Sequence, residues 1–325
     1  MSVIVEGKKE GEQTMNVALV GTGYIAGRHA AALSAMDDVT IVGHVDVSAE
    51  GAQKAADQWG GRAYTALDDL LAHEQCDAVW LCVPPFAHGD LERTLLQHGI
   101  PMYIEKPVGV DVAQPEALAA EIADKAAIVN VGYYWRCMEI MPKLQQMLAD
   151  TPPRMVRLAY HGPTAPAPWW QIQAKGGGQV VEQATHLVDT ARFLLGEGVV
   201  LSANAAHHDR PAYPNMDIAT ATTALLEFEG GLPGAFTATC VLDSFVDTTI
   251  EFFCDGRKIT LSLKELHIDT AEGRTTEQTG EDPLILADRA FIAAVTNDDR
   301  SLLPCPYDAA LATQKLCYDI QAKAV

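Results

Sequence analysis

Positive charge is scarce in this chain. Against 43 Asp and Glu stand 23 Lys and Arg, a formal net charge of −20 at pH 7. Such a surface repels phosphate backbones and anionic lipid, so neither nucleic acid nor a membrane is expected as the main partner, although a binding site can still be locally positive. Long apolar runs are missing as well. No stretch of roughly 18 apolar residues occurs, and no membrane span is expected. The seven cysteines are odd in number and form no C-x-x-C pair, which fits a reducing, cytoplasmic setting better than a disulfide scaffold. There is no G-x-S-x-G, hence no support for a serine hydrolase. Residues 1–14 are rich in Lys, Glu and Gly without an apolar segment; they read as a flexible extension or alternative start, not a signal peptide. No internal repeat or low-complexity segment is evident.

What is present is an ordinary globular composition, 48% hydrophobic and 20% charged over 325 residues, enough for about two domains. Up to about residue 131, short apolar runs alternate with Ala- and Leu-rich helical stretches. The runs are Asn16–Val20, Thr40–Val45, Asp77–Val83, Met102–Ile104 and Ala127–Val131. That rhythm means βαβ units and a parallel sheet. A linking helix follows over Met138–Ala149. Beyond a Pro-rich, Trp-bearing segment comes one helix from Gln179 to Leu195. Strand-like runs separated by turn signals then predict an antiparallel or mixed sheet, and Asp308–Ala322 reads as a closing helix. The polar stretch 265–282 carries no recognisable chemistry. The division predicted is 15–135 and 136–325.

Three motifs carry chemistry. Gly21-Thr22-Gly23-Tyr24-Ile25-Ala26 follows the first strand and fits G-x-G-x-x-A. Gly21 permits the tight turn, Gly23 lets backbone approach a pyrophosphate, and Ala26 allows close helix–strand packing. The helix N-terminus supplies amides for the phosphates, which is how an acidic protein can hold them. Asp46 closes the second strand, placed to accept hydrogen bonds from an adenosine ribose and to repel a 2′-phosphate. No Arg follows it, so NAD is favoured over NADP. Second, Glu105-Lys106-Pro107 and the Pro84-Pro85-Phe86-Ala87-His88 loop lie at strand ends, where ligands bind in such sheets. Pro107 restricts Lys106 to an extended conformation, and a cationic nicotinamide beside the lysine should lower its pKa. Third, Gly176-Gly177-Gly178 precedes Glu182 and His186, which an unbroken helix would put on one face with Asp189 near it. A carboxylate one turn away would fix the His tautomer and raise its basicity. A zinc site on this pair lacks a third ligand of clear spacing.

In this order the motifs resemble the Gfo/Idh/MocA family of NAD(P)-dependent oxidoreductases, with Val131–Arg136 and Trp169-Trp170 as further shared features. The resemblance runs from Met15 to the C-terminal helix. It implies an α/β chain: a Rossmann domain, then an α+β domain whose large open, mostly antiparallel mixed sheet serves oligomerisation, as a homodimer or homotetramer. It implies that Lys106 is catalytic. The family often has Asp-x-Gly-x-His where this chain has Glu182-Gln-Ala184-Thr-His186, so inositol specificity does not transfer. The chemistry implied is reversible oxidation of a secondary alcohol on a sugar, polyol or cyclitol. His186 would take the proton and Lys106 would stabilise the oxygen, or the two exchanged, while Glu182 orients the base or binds a neighbouring hydroxyl. Tyr134, His161, Trp169 and Trp170 are candidates for the substrate wall. Two other readings stay open: transient oxidation driving elimination or glycoside cleavage with NAD recycled, and an NAD(P)-sensing regulator.

Overall fold

The computed structural model describes residues 14–324. The extension expected at 1–14 therefore lies, except for Thr14, outside the described residues.

The first half is built from β1 (Met15–Val20), α1 (Tyr24–Ser34), β2 (Val39–Val45), α2 (Ala49–Trp59), β3 (Arg62–Tyr64), α3 (Leu67–His73), β4 (Ala78–Leu81), α4 (Asp90–His98), β5 (Met102–Ile104), α5 (Ala113–Asp124) and β6 (Val129–Val131). The six strands form one parallel sheet in the order β3-β2-β1-β4-β5-β6. The central strands β1, β4 and β5 are near-continuous apolar runs because helices cover both faces. The order reverses between β1 and β4. A crevice therefore opens beyond their carboxyl ends, the position where doubly wound sheets take ligands.

The second half holds α6 (Met141–Asp150), β7 (Pro153–Pro163), α7 (Gln173–Gly176), α8 (Gln179–Glu182), α9 (Thr185–Leu195), β8 (Gly198–Ala206), β9 (Ala221–Phe228), β10 (Leu232–Leu242), β11 (Asp247–Cys254), β12 (Arg257–Leu261), β13 (Glu265–Thr270), β14 (Gly273–Gln278), α10 (Pro283–Asn297) and α11 (Tyr307–Lys323). Its eight strands lie in the order β14-β13-β12-β11-β7-β10-β9-β8, all antiparallel pairs except β7 with β10. One face packs Val156, Leu158, Phe236 and Phe252 against α6, α9 and α11. The other is open and shows Val199, Leu201 and Leu225 at 55–58% exposure. Among the described residues no helix is long and apolar enough to cross a membrane.

Five features differ from the sequence reading. The first sheet has a sixth strand, the three-residue edge strand β3, too short and polar to stand out as an apolar run. Strand β7, which joins the halves of the second sheet, starts at Pro153 and carries Arg154, Arg157 and His161, polar residues that conceal its apolar alternation. The polar stretch after Glu265 is the β13–β14 hairpin at the sheet edge, where charge discourages unwanted pairing. Helix α10 returns to the first sheet, where Phe291 packs edge-on to Trp80 with ring centroids 5.1 Å apart. Finally, the single helix expected over Gln179–Leu195 is two. The Ala184 amide reaches back five residues to the Gln179 carbonyl at 3.0 Å, a π-type turn that ends α8 and lets α9 start on a new phase.

Candidate active site

The glycine-rich turn has the geometry its motif demands. Gly21 sits at φ +92°, and a Cβ there would lie 2.3 Å from the Cys82 carbonyl oxygen. Around Gly23 the space is open: a Cβ added there would meet no atom within 4 Å, and no side chain caps the first amides of α1. These features fit a pyrophosphate held by backbone N–H groups. Asp46 ties the turn to β2: its Oδ2 accepts from the Thr22 amide at 2.9 Å and the Thr22 hydroxyl at 2.7 Å, and its Oδ1 accepts from the Ser48 amide at 2.8 Å. The crevice beside it is lined by Val47, Leu67, Pro84, Phe86 and Leu91, an apolar slot suited to a flat heteroaromatic ring. Tyr24 is exposed, whereas the Ile25 side chain packs inward against the core under α1. Pro85 is buried in the single turn after β4. His88 does not open to the crevice; it is buried with Nδ1 2.5 Å from Glu92 Oε1. Across the crevice, Lys175 of α7 lies 5.8 Å from the Phe86 ring centroid.

Lys106 leaves the end of β5 and meets the other half of the chain. Its Nζ donates to the Glu182 carbonyl at 2.6 Å and to Glu182 Oε1 at 2.9 Å. An ammonium has three donors, so one is left for a ligand. The second Glu182 oxygen, Oε2, accepts from Trp170 Nε1 at 2.5 Å. Burial opposes the charge on Lys106, but Glu182, with Glu105 beyond it, outweighs burial and holds the pKa above its ordinary value. The lowered value expected from the motif belongs to a lysine beside a cationic nicotinamide; with the protein groups alone the value is raised. Glu105 does not face the crevice; its carboxylate is buried against His29, 3.0 Å away.

His186 does not pair with Glu182. The π-type turn sends Glu182 to Lys106 and His186 into a cage of Tyr133, Tyr134 and Trp135, with centroid distances of 5.9, 4.8 and 6.3 Å. Burial, with the Lys106 charge nearby, holds the imidazole well below its ordinary pKa, so the ring is neutral rather than more basic. Its Nδ1 is buried and has no hydrogen-bond partner among the described residues. Asp189 is not a partner either: it is buried and accepts from Arg136 Nε and Nη2 at 2.7 and 2.6 Å and from Thr313 at 2.8 Å.

Of the four residues expected in the substrate wall, Tyr134 lies at the site against His186, and Trp170 is buried behind Glu182. Trp169 is half-buried in the small cluster around Trp170, Ile218 and Cys240. His161 is not brought to the site: it points to the open face of the second sheet, 2.9 Å from Thr237 Oγ1. Its neighbour Tyr160 faces inward, and burial together with the fields of Glu182 and Tyr134 raises its pKa. Sequence reasoning missed Tyr160, though the alternation Val156, Leu158, Tyr160 would have pointed to it.

Comparison with known proteins agrees with this architecture. Residues 15–133 match the oxidoreductase family, NAD-binding Rossmann fold, and residues 152–260 match the GFO/IDH/MocA C-terminal domain. The chain belongs to the Gfo/Idh/MocA oxidoreductase family. It is 30% identical over 197 residues to inositol 2-dehydrogenase of Rhizobium meliloti (strain 1021), a match spanning 59% of each protein. To D-apiose dehydrogenase of Paraburkholderia graminis it is 26% identical, over 89% of this chain and 79% of that one. A 3-ketoreductase from Actinomadura kijaniata, solved with NADP and TDP-benzene, has the same fold, with TM-score 0.84 at 18% identity over 96% of this chain and 98% of that one.

Proposed function

We propose that the protein is an NAD-dependent dehydrogenase that oxidises a secondary alcohol of a sugar, polyol or cyclitol, reversibly. In this reading 15–135 is the cofactor half and 136–325 the substrate half. The observation that carries it is the convergence of Lys106, from the end of β5, with Glu182 and His186, from the other half, beside the dinucleotide crevice. Bound nicotinamide would supply the hydride acceptor. Lys106 donates its remaining N–H to the alcohol oxygen and stabilises the negative charge that develops there. Glu182, anchored by Trp170, keeps the ammonium charged and aimed. His186 is neutral and therefore free to accept the hydroxyl proton. With Nδ1 buried, Nε2 is the nitrogen a hydroxyl can reach. Tyr134 and Tyr160 offer ring faces and hydroxyls to a polyol.

NAD is the proposed cofactor because Asp46 places a carboxylate at the end of β2, where it would face the ribose 2′-position and repel a phosphate. The exposed Val199, Leu201 and Leu225 at the β8–β9 end of the open sheet face support a homodimer or homotetramer. Turnover of a polyol and sugar panel with NAD and with NADP tests the reading. NADH should accumulate with at least one polyol or sugar, and no NADH with any of them under either cofactor would refute it.

A further inference from the structure

The Glu-Lys-Pro turn contains an acid that this chemistry leaves unused. Glu105 is 3% exposed, and its Oε1 lies 3.0 Å from His29 Nε2. The other ring nitrogen lies 2.8 and 2.9 Å from the two carboxylate oxygens of Asp288. Trp80 Nε1 donates to the same carboxylate at 2.9 Å. All four side chains are buried. With a carboxylate at each ring nitrogen, His29 donates from both and carries a charge. The result is a carboxylate–imidazolium–carboxylate chain sealed in the core, with one net negative charge. Desolvating such a chain is costly, and well-packed apolar residues could serve stability equally well. Its near end is one peptide bond from Lys106, and Glu105 acts electrostatically on both Lys106 and Tyr134. Its far end belongs to α10, the helix that returns from beyond the second sheet to pack on the first.

We propose that Asp288 and His29 are positioning residues that hold the Glu105 carboxylate fixed beside the Lys106 turn, so that α10 sets the field in which Lys106 works. The proposal rests on the reading of Lys106 as the group that polarises the substrate alcohol. The other titratable groups facing the chain are Tyr103, Cys82 and Cys137; those facing Lys106 are Glu182, Tyr134 and His186. None of these supplies the negative charge lost if Asp288 is neutralised.

Asp288→Asn in the full chain keeps the shape and removes one of the two carboxylates that hold His29. Two readouts apply: the titration of Lys106, followed by NMR of isotope-labelled lysine and assigned with Lys106→Arg, and the alkaline limb of the turnover profile. Both should move to lower pH, with NAD affinity changed less than about twofold. Glu105→Gln, a second variant in case the first folds poorly, should move them the same way and further. A purely structural role would lower the melting temperature and leave the Lys106 titration in place, and that result in either folded variant overturns the proposal. Failure of the functional reading is distinguishable: Lys106→Ala would then turn over normally while the Lys106 titration still shifts in Asp288→Asn.

Discussion

Lys106 and His186 differ in charge. Glu182 outweighs burial at the lysine, whereas burial prevails at the histidine, so the site holds a cation and a neutral acceptor side by side. Two outcomes follow. Glu182→Gln removes the main partner of the ammonium, so the alkaline limb of kcat/KM should move to lower pH and turnover should fall by about 10²-fold, the scale of a lost charge-stabilising group. An unchanged profile would show that Lys106 does not depend on Glu182. The acid limb, if His186 takes the proton, should lie below the ordinary imidazole value of 6.5. A limb at or above 6.5 that vanishes in His186→Gln would contradict a neutral, desolvated ring.

Among the elements, the turn after β1 and the junction of α8 with α9 decide the most. Gly21→Ala puts a Cβ onto the Cys82 carbonyl at a φ that only glycine adopts freely, so NAD binding measured by calorimetry should be lost or greatly weakened. Asp189→Asn leaves the buried Arg136 guanidinium short of its counter-charge. Chemical denaturation should show a loss of about 3–5 kcal/mol, the usual effect of breaking a buried ion pair from one side. His29 is pushed up to about 10 by Asp288 and Glu105 against burial. A cation favoured by the fold adds stability that is complete below its ordinary 6.5 and fades as pH rises through about 10. The denaturation midpoint should therefore fall between neutral pH and about pH 10, and fall less in His29→Gln. The first motif and five of the six parallel strands were legible because glycine positions and apolar runs are local properties of the chain; β3, three residues long and opening on Arg62, was not. The π-type turn was not: Val180, Val181 and Ala184 fit an unbroken helix equally well, and only the contacts made in the folded chain, with Lys106 above all, separate Glu182 from His186. Strand β7 was hidden by its arginines, and α10 by the absence of any local sign that it docks on the first sheet.

On the scale of the whole molecule, the net charge of −20 and the site obey different rules. In the proposed reaction the crevice offers backbone amides to phosphates and keeps its cation paired, so the acidic surface neither supplies nor blocks the chemistry. The β8–β9 end of the open sheet face exposes Val199, Leu201 and Leu225 on that acidic surface. Leu225→Glu should shift the protein toward monomer in sedimentation while leaving NAD affinity unchanged, and an unaltered assembly would place the interface elsewhere.

In the proposed reaction Lys106 polarises an alcohol oxidised by bound NAD. This role is tested most directly by measuring NADH formation and NAD affinity side by side in wild-type protein and Lys106→Ala. The variant should bind NAD as the wild type does and form NADH at least about 10²-fold more slowly. Wild-type turnover in Lys106→Ala would contradict it.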